Sequence, residues 1–392
     1  MTHIMILSTI QAALREREFD CWLFYDHHHR DPISYKVLGL PDNLFVTRRW
    51  FYVIPKEGEP VKLVHRIEAG HLNTLPGSQR EYSSWRELWD NLKAMLEPYK
   101  TVAMQYSPNN LIPYIGLVDA GTVELVRSFG KEIMSSGDLV ARFEAAWTDE
   151  QIKSHFAARD SIDAIVSAAF KEIGHRGRNG GATEYNIQQW IAEAFRREDL
   201  ITEDLPIVAV NANSGNPHYE PRPEGSSNIK PGDFVLLDIW AKKKAPNAVY
   251  YDITWTGIIG APSEKQVKIF NIVRDARDAG VRKVQEAFSA KRKIAGWEVD
   301  EATRAVIASA GLAQYFTHRT GHSIGVTVHG NGANMDNLET RDDREIIPNT
   351  CFSIEPGVYL PGEFGVRSEV NVLTRNSSAE VTGKIQRELV LI

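Results

Sequence analysis

Three histidines and four acidic residues are the side chains of this sequence whose types and spacing could do chemistry. The histidines, His318, His322 and His329, lie in one segment of thirteen residues, HRTGHSIGVTVHG. Each acid lies in an apolar, strand-like run, where a carboxylate is costly to bury unless it is paired or bound to a cation. The acids are Asp238 in FVLLDIW, Asp252 in VYYDITWTGII, Glu355 in CFSIEPGVYL and Glu369 in GVRSEVNVL. Any one of them could pair with an arginine or reach water at a strand end, but four together favour a shared cation site.

The charge of this set fits two divalent cations, which would nearly neutralise four carboxylates. Oxygen-rich ligation with one imidazole suits Mn, Co, Fe or Zn better than a structural zinc site, which prefers thiolates. Two metals about 4 Å apart are a known device for hydrolysis, because they lower the pKa of a bridging water and stabilise the oxyanion. The histidine-rich segment alone does not show which of its histidines is a ligand.

The second half of the chain must position these residues. Capping-box patterns beginning at Thr148 and Ser263 predict helices that start there, and apolar spacing predicts further helices at about Thr183–Arg197 and Gly296–Ala310. Strands are predicted at 205–210, 234–239, 250–259, 350–360, 366–373 and 388–392. This pattern indicates helices packed outside an antiparallel-rich sheet, an α+β fold.

The first 140 or so residues have a different texture. Short strand-like runs alternate with helical stretches such as Trp85–Leu96, which indicates an α/β domain. The runs are CWLFY, WFYVIP, VKLVH, KTVAMQY and VELV. A boundary near residues 141–149 divides the chain into predicted domains at 1–145 and 146–392.

Composition excludes several classes of protein. The 392 residues carry a net charge of -6 with no long basic run, which disfavours nucleic-acid binding. No apolar stretch is long enough for a membrane span, and the N-terminal segment lacks the basic region and cleavage site of a signal peptide, so we expect a cytoplasmic protein. The two cysteines, Cys21 and Cys351, are expected to be buried free thiols.

Three motifs give the sequence a family resemblance. They are H-x-x-G-H-x-x-G at His318–Gly325, I-E-P-G-V-Y at Ile354–Tyr359 and G-V-R-x-E at Gly365–Glu369. Over roughly residues 150–392 the chain resembles the pita-bread metallopeptidases. The N-terminal part is similar in size and texture to the smaller domain of the creatinase, prolidase and aminopeptidase P branch. The resemblance implies a pita-bread catalytic domain at 146–392, preceded by a creatinase-type α/β domain at 1–145.

The resemblance also implies roles for individual residues. Asp252 and Glu369 would bridge two metals, with Asp238 on one metal and His322 and Glu355 on the other. Glu355 would also shuttle protons, and the other implied catalytic residues are His218, His329 and Arg367. All three have a plain structural alternative: His218 could be a surface-loop histidine, His329 could also be structural, and Arg367 could be part of a salt bridge. His318 is expected to be structural.

The implied function is hydrolysis of the Xaa-Pro bond at the N-terminus of dipeptides or short peptides through a metal-bridging hydroxide. We expect manganese first among the metals, with cobalt, zinc or iron as alternatives, a short proline-containing peptide as substrate and a homodimer as the assembly. The alternative is a metal-dependent non-peptidase enzyme, a small-molecule hydrolase or lyase, on the same scaffold. A binding protein without catalysis is disfavoured, because all five ligand positions are intact.

The sequence departs from the family pattern near the metal strands. Asp238 and Asp252 are fourteen residues apart, which is more than is usual for the family, and a longer hairpin loop would explain the difference. Trp240 and Trp255 stand where a glycine and an arginine are usual, and we expect them to reshape the pocket. The loop Asp26–Asp31, which contains three histidines, could contact substrate, but a solvated loop or an adventitious metal site is favoured.

Overall fold

The computed structural model describes residues 3–392, with side chains from Ile6 onward. The chain forms two compact units, the first ending at Glu144 and the second beginning at Ala145. Across the described part of the chain, no helix is both long and apolar enough to cross a lipid bilayer.

The first unit is built on a six-stranded mixed sheet. Its elements are α1 His3–Glu16, β1 Cys21–Asp26, α2 Pro32–Leu38, β2 Trp50–Pro55, β3 Val61–His65, β4 Ser78–Tyr82, α3 Trp85–Leu96, β5 Thr101–Met104, α4 Ala120–Ser128, β6 Glu132–Ser135 and α5 Gly137–Val140. The strand order is β4–β3–β2–β1–β5–β6, with β1 antiparallel to β2 and parallel to β5.

Helices cover both faces of this sheet. Trp22 and Phe24 of β1 pack in a core with residues of α1 and α2, whereas Leu23 and Tyr25 pack in a second core with residues of α3 and α4. Because successive side chains of a strand point to opposite faces, a central strand covered on both sides reads as one apolar run. CWLFY is such a run.

The predicted strand VELV was wrong, because this segment belongs to α4. Asp119 caps that helix by accepting a hydrogen bond from the backbone N–H of Thr122. Val123 and Val126 are buried three residues apart, which is helical spacing. Four residues are too few for apolar periodicity to distinguish the two structures.

The second unit contains the longest helices and three sheets. Its elements are α6 Asp149–Arg178, α7 Glu184–Arg197, β7 Leu200–Ile201, β8 Ile207–Val210, β9 Phe234–Lys243, β10 Tyr251–Ile258, α8 Glu264–Ser289, α9 Gly296–Ser309, β11 Ser323–Ile324, β12 Cys351–Ile354, β13 Gly357–Leu360, β14 Phe364–Arg367, β15 Val370–Thr374, β16 Ala379–Val381 and β17 Val390–Leu391. One sheet has the order β17–β10–β9–β7, with β8 also pairing with β9; a second is β11–β12–β15–β16, and the third is the β13–β14 hairpin.

Helix starts in this unit follow the capping residues. The side chains of Thr148, Thr183 and Ser263 each accept a hydrogen bond from the third residue of the helix, which bonds back to the cap. This pairing satisfies two backbone N–H groups that a helix start leaves without partners. The predicted helix starts therefore agree with the structure to within a residue.

Two predicted strands are each divided in the structure. The segment 350–360 forms β12 and β13, with Glu355 and Pro356 between them, and the segment 366–373 is interrupted between β14 and β15 at Ser368 and Glu369. Proline has no N–H to donate to a ladder, which explains the first break. Glu355 and Glu369 consequently lie at strand ends rather than inside strands.

Candidate metal centre

The β9–β10 hairpin brings the two aspartates to one face of the sheet. Asp238 pairs with Thr254, and Trp240 pairs with Asp252. Directly opposed residues of an antiparallel pair share a face, as do residues two apart on one strand. The longer hairpin loop therefore leaves both aspartates on the same surface, as diagonal neighbours.

The two glutamates come from the ends of another pair of strands. Ile354, the last residue of β12, pairs with Val370, the first of β15. Glu355 and Glu369 are the residues adjoining that pair, and they lie at the same end of the ladder. The backbone N–H of Glu369 donates to the carbonyl of Thr254, 3.2 Å away, and this bond joins β10 to the start of β15.

His322 lies among these acids, just before β11. Its Nε2 is 3.5 Å from Asp252 Oδ2 and 3.4 Å from Glu355 Oε1. One ligand atom each from His322, Asp252 and Glu369 fall within 4.8 Å of one another. The backbone of His322 is held at both ends by Ser353, which donates its N–H to the His322 carbonyl and accepts the His322 N–H at Oγ.

Arg367 and Thr254 connect Asp238 to the rest of the cluster. The guanidinium of Arg367 bonds to Asp238 and lies 3.9 Å from Glu355 Oε2. The Thr254 hydroxyl oxygen lies 2.9 Å from Asp238 Oδ1 and 2.8 Å from Glu369 Oε2, and it accepts from Arg367 Nε. All five residues predicted as metal ligands, and Arg367, are thus in one connected cluster.

The pKa values within the cluster reflect buried charge. Burial raises the pKa of Asp252 to about 7, with a further contribution from Asp238. Burial and the neighbouring carboxylates raise the pKa of Glu369 well above its usual range. Burial also raises the pKa of Asp238, although Arg367 opposes it. Without a cation, the cluster would therefore hold protons that isolated carboxyl groups would release.

The pKa values of Glu355 and His322 are shifted so that both side chains favour their charged forms. Burial acts to raise the pKa of Glu355, but the positive charges of His322 and Arg367 lower it overall. Burial acts to lower the pKa of His322, and its contacts with Asp252 and Glu355 raise it overall. The two side chains stabilise each other's charged forms.

The donor set fits a bound cation. Nδ1 of His322 lies 3.1 Å from the carbonyl of Ser323 and donates its proton there, and Nε2 faces carboxylate oxygens of Asp252 and Glu355. A neutral imidazole in that orientation needs a proton or a cation between Nε2 and the acids. Glu369 Oε1 is buried, and among the described residues it has no hydrogen-bond partner. A cation would satisfy both groups.

The other three histidines considered from the sequence, His218, His318 and His329, differ in their relation to the cluster. The ring of His329 packs edge-on against that of His322, with 4.3 Å between centroids. The charge of His322, followed by burial, lowers the pKa of His329 to about 3, so its ring is neutral near pH 7. His218 is exposed on a loop, where the carbonyl of its neighbour Pro217 accepts from Arg367 Nη1 at 3.4 Å.

His318 is held on both ring nitrogens. Nε2 is 2.7 Å from the Tyr359 hydroxyl, and Nδ1 is 2.7 Å from the carbonyl of Arg319. Burial lowers its pKa to about 4. This neutral, fully bonded ring agrees with the structural role expected of His318.

The two tryptophans lie on opposite faces of the sheet. Trp240 is opposite Asp252 on the acidic face and packs near Val326 and Val328. Trp255 packs on the other face, against the core formed with α6, and lines a separate cavity of about 460 Å³. The expectation that both reshape the pocket was therefore wrong for Trp255, because side chains alternate along β10.

Sequence reasoning missed the residues that hold the acids in place. Thr254 bonds to two of them, Ser353 donates to Glu355 Oε1 at 2.9 Å, and Asn371 forms two hydrogen bonds with the backbone of Asp252. A weak signal was present, because each is a polar residue two positions from a predicted ligand on the same strand or ladder. Period two places such residues on the same face.

The comparison with known families agrees with this geometry. Residues 157–376, more than half of the chain, match the model of metallopeptidase family M24. The chain belongs to this family. The prediction of a pita-bread metallopeptidase fold is confirmed.

Individual relatives cover much of the chain. A Xaa-Pro dipeptidase of Pyrococcus horikoshii is 31% identical over 264 residues, which are 66% of this chain and 68% of the relative. Among solved structures, dipeptidase PepE of Mycobacterium ulcerans has a TM-score of 0.69 at 23% identity. The match covers 100% of this chain and 98% of the PepE chain.

A third relative is described by its dinuclear site. The X-prolyl aminopeptidase of Caenorhabditis elegans, described as a cytosolic enzyme with a di-nuclear active site, has a TM-score of 0.66 at 18% identity, covering 98% of this chain and 62% of its own. At this identity the two structures show a shared fold. The chain spans between 52% and 68% of the length of several curated relatives that it matches.

Proposed function

We propose that this protein is a metal-dependent peptidase that cleaves the Xaa-Pro bond at the N-terminus of dipeptides or short peptides. Family membership supports the peptidase chemistry, and the names of the relatives, Xaa-Pro dipeptidases and aminopeptidases, support the substrate class. The observation that carries the proposal is the position of His322 Nε2, within 3.5 Å of carboxylate oxygens of both Asp252 and Glu355. One imidazole among several buried carboxylates is a typical donor set for paired divalent cations in hydrolases.

The five residues proposed to hold two such cations are Asp238, Asp252, His322, Glu355 and Glu369. When bound, divalent cations supply Lewis acidity, lowering the pKa of water and stabilising negative charge on a carbonyl oxygen. Manganese is the first expectation, and cobalt, zinc and iron share the same ligand preferences.

Glu355 is suited to move a proton. Its pKa is lowered overall, so its carboxylate is ionised near neutral pH and can accept a proton from water. The Ser353 hydroxyl donates to Oε1 and orients the carboxylate. A carboxylate held in this way can later return the proton to the leaving nitrogen.

His218 and His329 are proposed to act on the substrate, whereas Arg367 is proposed to orient the acids. A neutral His329 ring keeps one N–H, which can donate to a substrate carbonyl. The exposed imidazole of His218 can donate a second hydrogen bond in the same way. Such donors typically contribute about 3–4 kcal/mol to lowering a barrier. Arg367 is buried with its charge directed at Asp238 and Glu355, so we assign it to the orientation of these acids.

The organisation of the chain belongs to the same proposal. The two compact units would correspond to a creatinase-type domain at 1–145 and a catalytic domain at 146–392. Assembly as a homodimer and a cytoplasmic location stay predictions, and gel filtration with light scattering tests the first.

One assay tests the function. The metal-stripped protein is loaded with Mn, Co or Zn and incubated with Ala-Pro, Ala-Pro-Ala, Ala-Ala and Met-Ala-Ser, and products are identified by mass spectrometry. We expect metal-dependent cleavage only before proline, and the ratio of dipeptide to tripeptide cleavage separates a dipeptidase from an aminopeptidase. Cleavage of Met-Ala-Ser but not of the proline peptides would contradict the proposed specificity.

Trp240 gives one observation in favour of the alternative function. Its indole lies on the acidic face opposite Asp252, where the family pattern has a glycine. If two metals bind but none of the four peptides is cleaved, the function moves to a non-peptide substrate on the same scaffold.

A further inference from the structure

A buried carboxylate outside the metal cluster organises the loop that carries His218. Glu184, the first residue of α7, is completely buried. Its Oε1 accepts from the backbone N–H of Val210 at 2.8 Å and from Asn213 Nδ2 at 3.0 Å. Its Oε2 accepts from the Tyr219 hydroxyl at 2.6 Å and from the backbone N–H of Ser227 at 2.9 Å.

All four donors belong to one stretch of chain, residues 210–227. A buried carboxylate is tolerated only when hydrogen bonds replace its lost hydration, and four donors provide that replacement. The same bonds fix both ends of the stretch and, through Tyr219, its middle. Removing the charge would release the segment at several points at once.

His218 lies between two anchors of this loop. On one side, the hydroxyl of Tyr219 donates to Glu184. On the other side, the carbonyl of Pro217 accepts from Arg367, which also bonds to Asp238 of the metal cluster. The imidazole itself is exposed, so its place is set by its backbone rather than by contacts of its ring.

A further bond ties the loop to the strand that ends in Arg367. Ser214 Oγ accepts from the backbone N–H of Gly365 at 2.9 Å, and an added Cβ at Gly365 would lie 2.0 Å from the carbonyl oxygen of Ser214. The loop therefore lies directly against β14 with no room for a side chain there. A small displacement of the loop would move His218 relative to the acids.

We propose that Glu184 is a positioning residue for His218: it fixes the loop 210–227 so that the imidazole reaches a substrate bound at the acidic cluster. The inference rests on the proposed function, because a role for His218 in the reaction is part of that proposal. It adds a residue with no contact to the predicted metal ligands. Displacement of a catalytic group by about 1 Å can lower a rate by about a hundredfold, so Glu184→Gln should lower kcat/KM by roughly 10–100-fold.

Hydrogen exchange tests the loop without any need for activity. Glu184→Gln keeps the shape of the side chain but cannot accept from four donors, since its amide group has only one oxygen. We expect faster amide exchange within 210–227 in this variant. Asp163→Asn is the matched control, because Asp163 also accepts from a tyrosine hydroxyl, that of Tyr251 at 3.0 Å, but lies on α6 on the other face of β10. It should leave exchange in 210–227 and the cleavage rate unchanged.

A double-substitution cycle separates positioning from general destabilisation. If Glu184 acts through His218, Glu184→Gln should lower kcat/KM strongly in the parent and by less than twofold in a His218→Gln background, while any loss of thermal stability persists in both. Unchanged exchange in 210–227, or effects of the two substitutions that multiply, would overturn the inference. If the parent protein cleaves no Xaa-Pro peptide, the proposed function fails, and the exchange comparison alone decides whether Glu184 fixes the loop.

Discussion

The two faces of the β9–β10 hairpin are both buried but are stabilised in different ways. The face towards α6 carries Leu237, Ile239 and Ile253, which pack in a continuous apolar core. The opposite face carries Asp238, Asp252 and Thr254, which are also buried. Apolar side chains gain stability from burial itself, whereas buried carboxylates need partners. The proposed metal site is therefore on the face where burial is unfavourable without a cation.

The largest effect is expected from Asp252→Asn. Replacing this carboxylate should lower metal-dependent activity by at least about a hundredfold, because a lost ligand removes several kcal/mol of charge stabilisation. The metal-free protein should unfold at the same or a higher urea concentration, since one of several mutually repelling buried acids is gone. Urea unfolding in chelator and assays with added Mn measure the two effects. Activity within tenfold of the parent would refute the ligand assignment.

Ile253→Val is the matched substitution on the other face. Removing one buried methylene should lower the free energy of unfolding by about 1 kcal/mol. Activity should stay within about twofold of the parent. The two neighbouring substitutions would then show opposite patterns, one in activity and the other in stability.

Substitutions of His322 and His318, two histidines of the segment 318–330, should also have different effects. His322→Ala should abolish metal binding, because its Nε2 is directed at both Asp252 and Glu355. His318→Ala should keep activity within tenfold and lower the melting temperature, because it leaves the Tyr359 hydroxyl without its contact to the ring. Titration calorimetry with Mn and thermal melts make the comparison. An equal loss in both variants would mean that the wrong histidine was assigned.

A smaller effect is expected from Thr254→Val, which keeps the shape but removes the hydroxyl between Asp238 and Glu369. Groups that orient metal ligands typically account for about 10–100-fold in metal affinity or activity. We expect a change in that range, read as the Mn concentration for half-maximal activity. Thr256→Val, two residues further along the same strand, provides a control whose hydroxyl has no hydrogen-bond partner among residues 3–392.

The pH dependence of stability should differ between a buried histidine, His155, and a buried carboxyl group, Asp252. Burial lowers the pKa of His155 from 6.5 to about 4, so the unfolded chain binds its proton first and acid favours unfolding. The free energy of unfolding should fall by up to about 3 kcal/mol from this group as the pH drops from 6.5 to 4. His155→Asn should flatten that part of the profile in urea unfolding experiments.

In the metal-free protein, Asp252 changes the free energy of unfolding with pH in the opposite direction to His155. Its pKa is raised from 3.8 to about 7, so the folded state holds a proton that the unfolded chain releases. This group should contribute stability below about pH 4 that is lost as the pH rises to 7. Asp252→Asn in chelator should remove that loss, and an unchanged profile would contradict the assigned burial effect.

The sequence predicts those parts of the molecule in which one residue determines the local structure. Thr148 and Ser263 mark helix starts because capping is a contact between residues three apart. The acids are recognisable because carboxylates are rare in apolar strands. Both signals need only a few neighbouring residues.

The rest depends on contacts between distant segments. Thr254 contacts Glu369 only because β10 adjoins the start of β15, and Glu184 reaches Tyr219 across 35 residues. Register and loop path determine such pairs, and neither is encoded in a local pattern. The misassigned VELV segment shows the complementary failure, in which a pattern is too short to identify its own structure.

In the β9–β10 hairpin, the length of the connecting loop can vary, whereas the register of the two strands cannot. The connection from Lys244 to Tyr250 separates the two strands, and Asp252 pairs with Trp240 and Thr254 with Asp238. Insertions and deletions in this connection preserve the ligand geometry as long as the ladder keeps its register, whereas a slip of one strand by one residue would turn the aspartate of that strand towards the apolar core. Changes in the length of this loop should therefore be tolerated far better than changes in the alignment of the two strands.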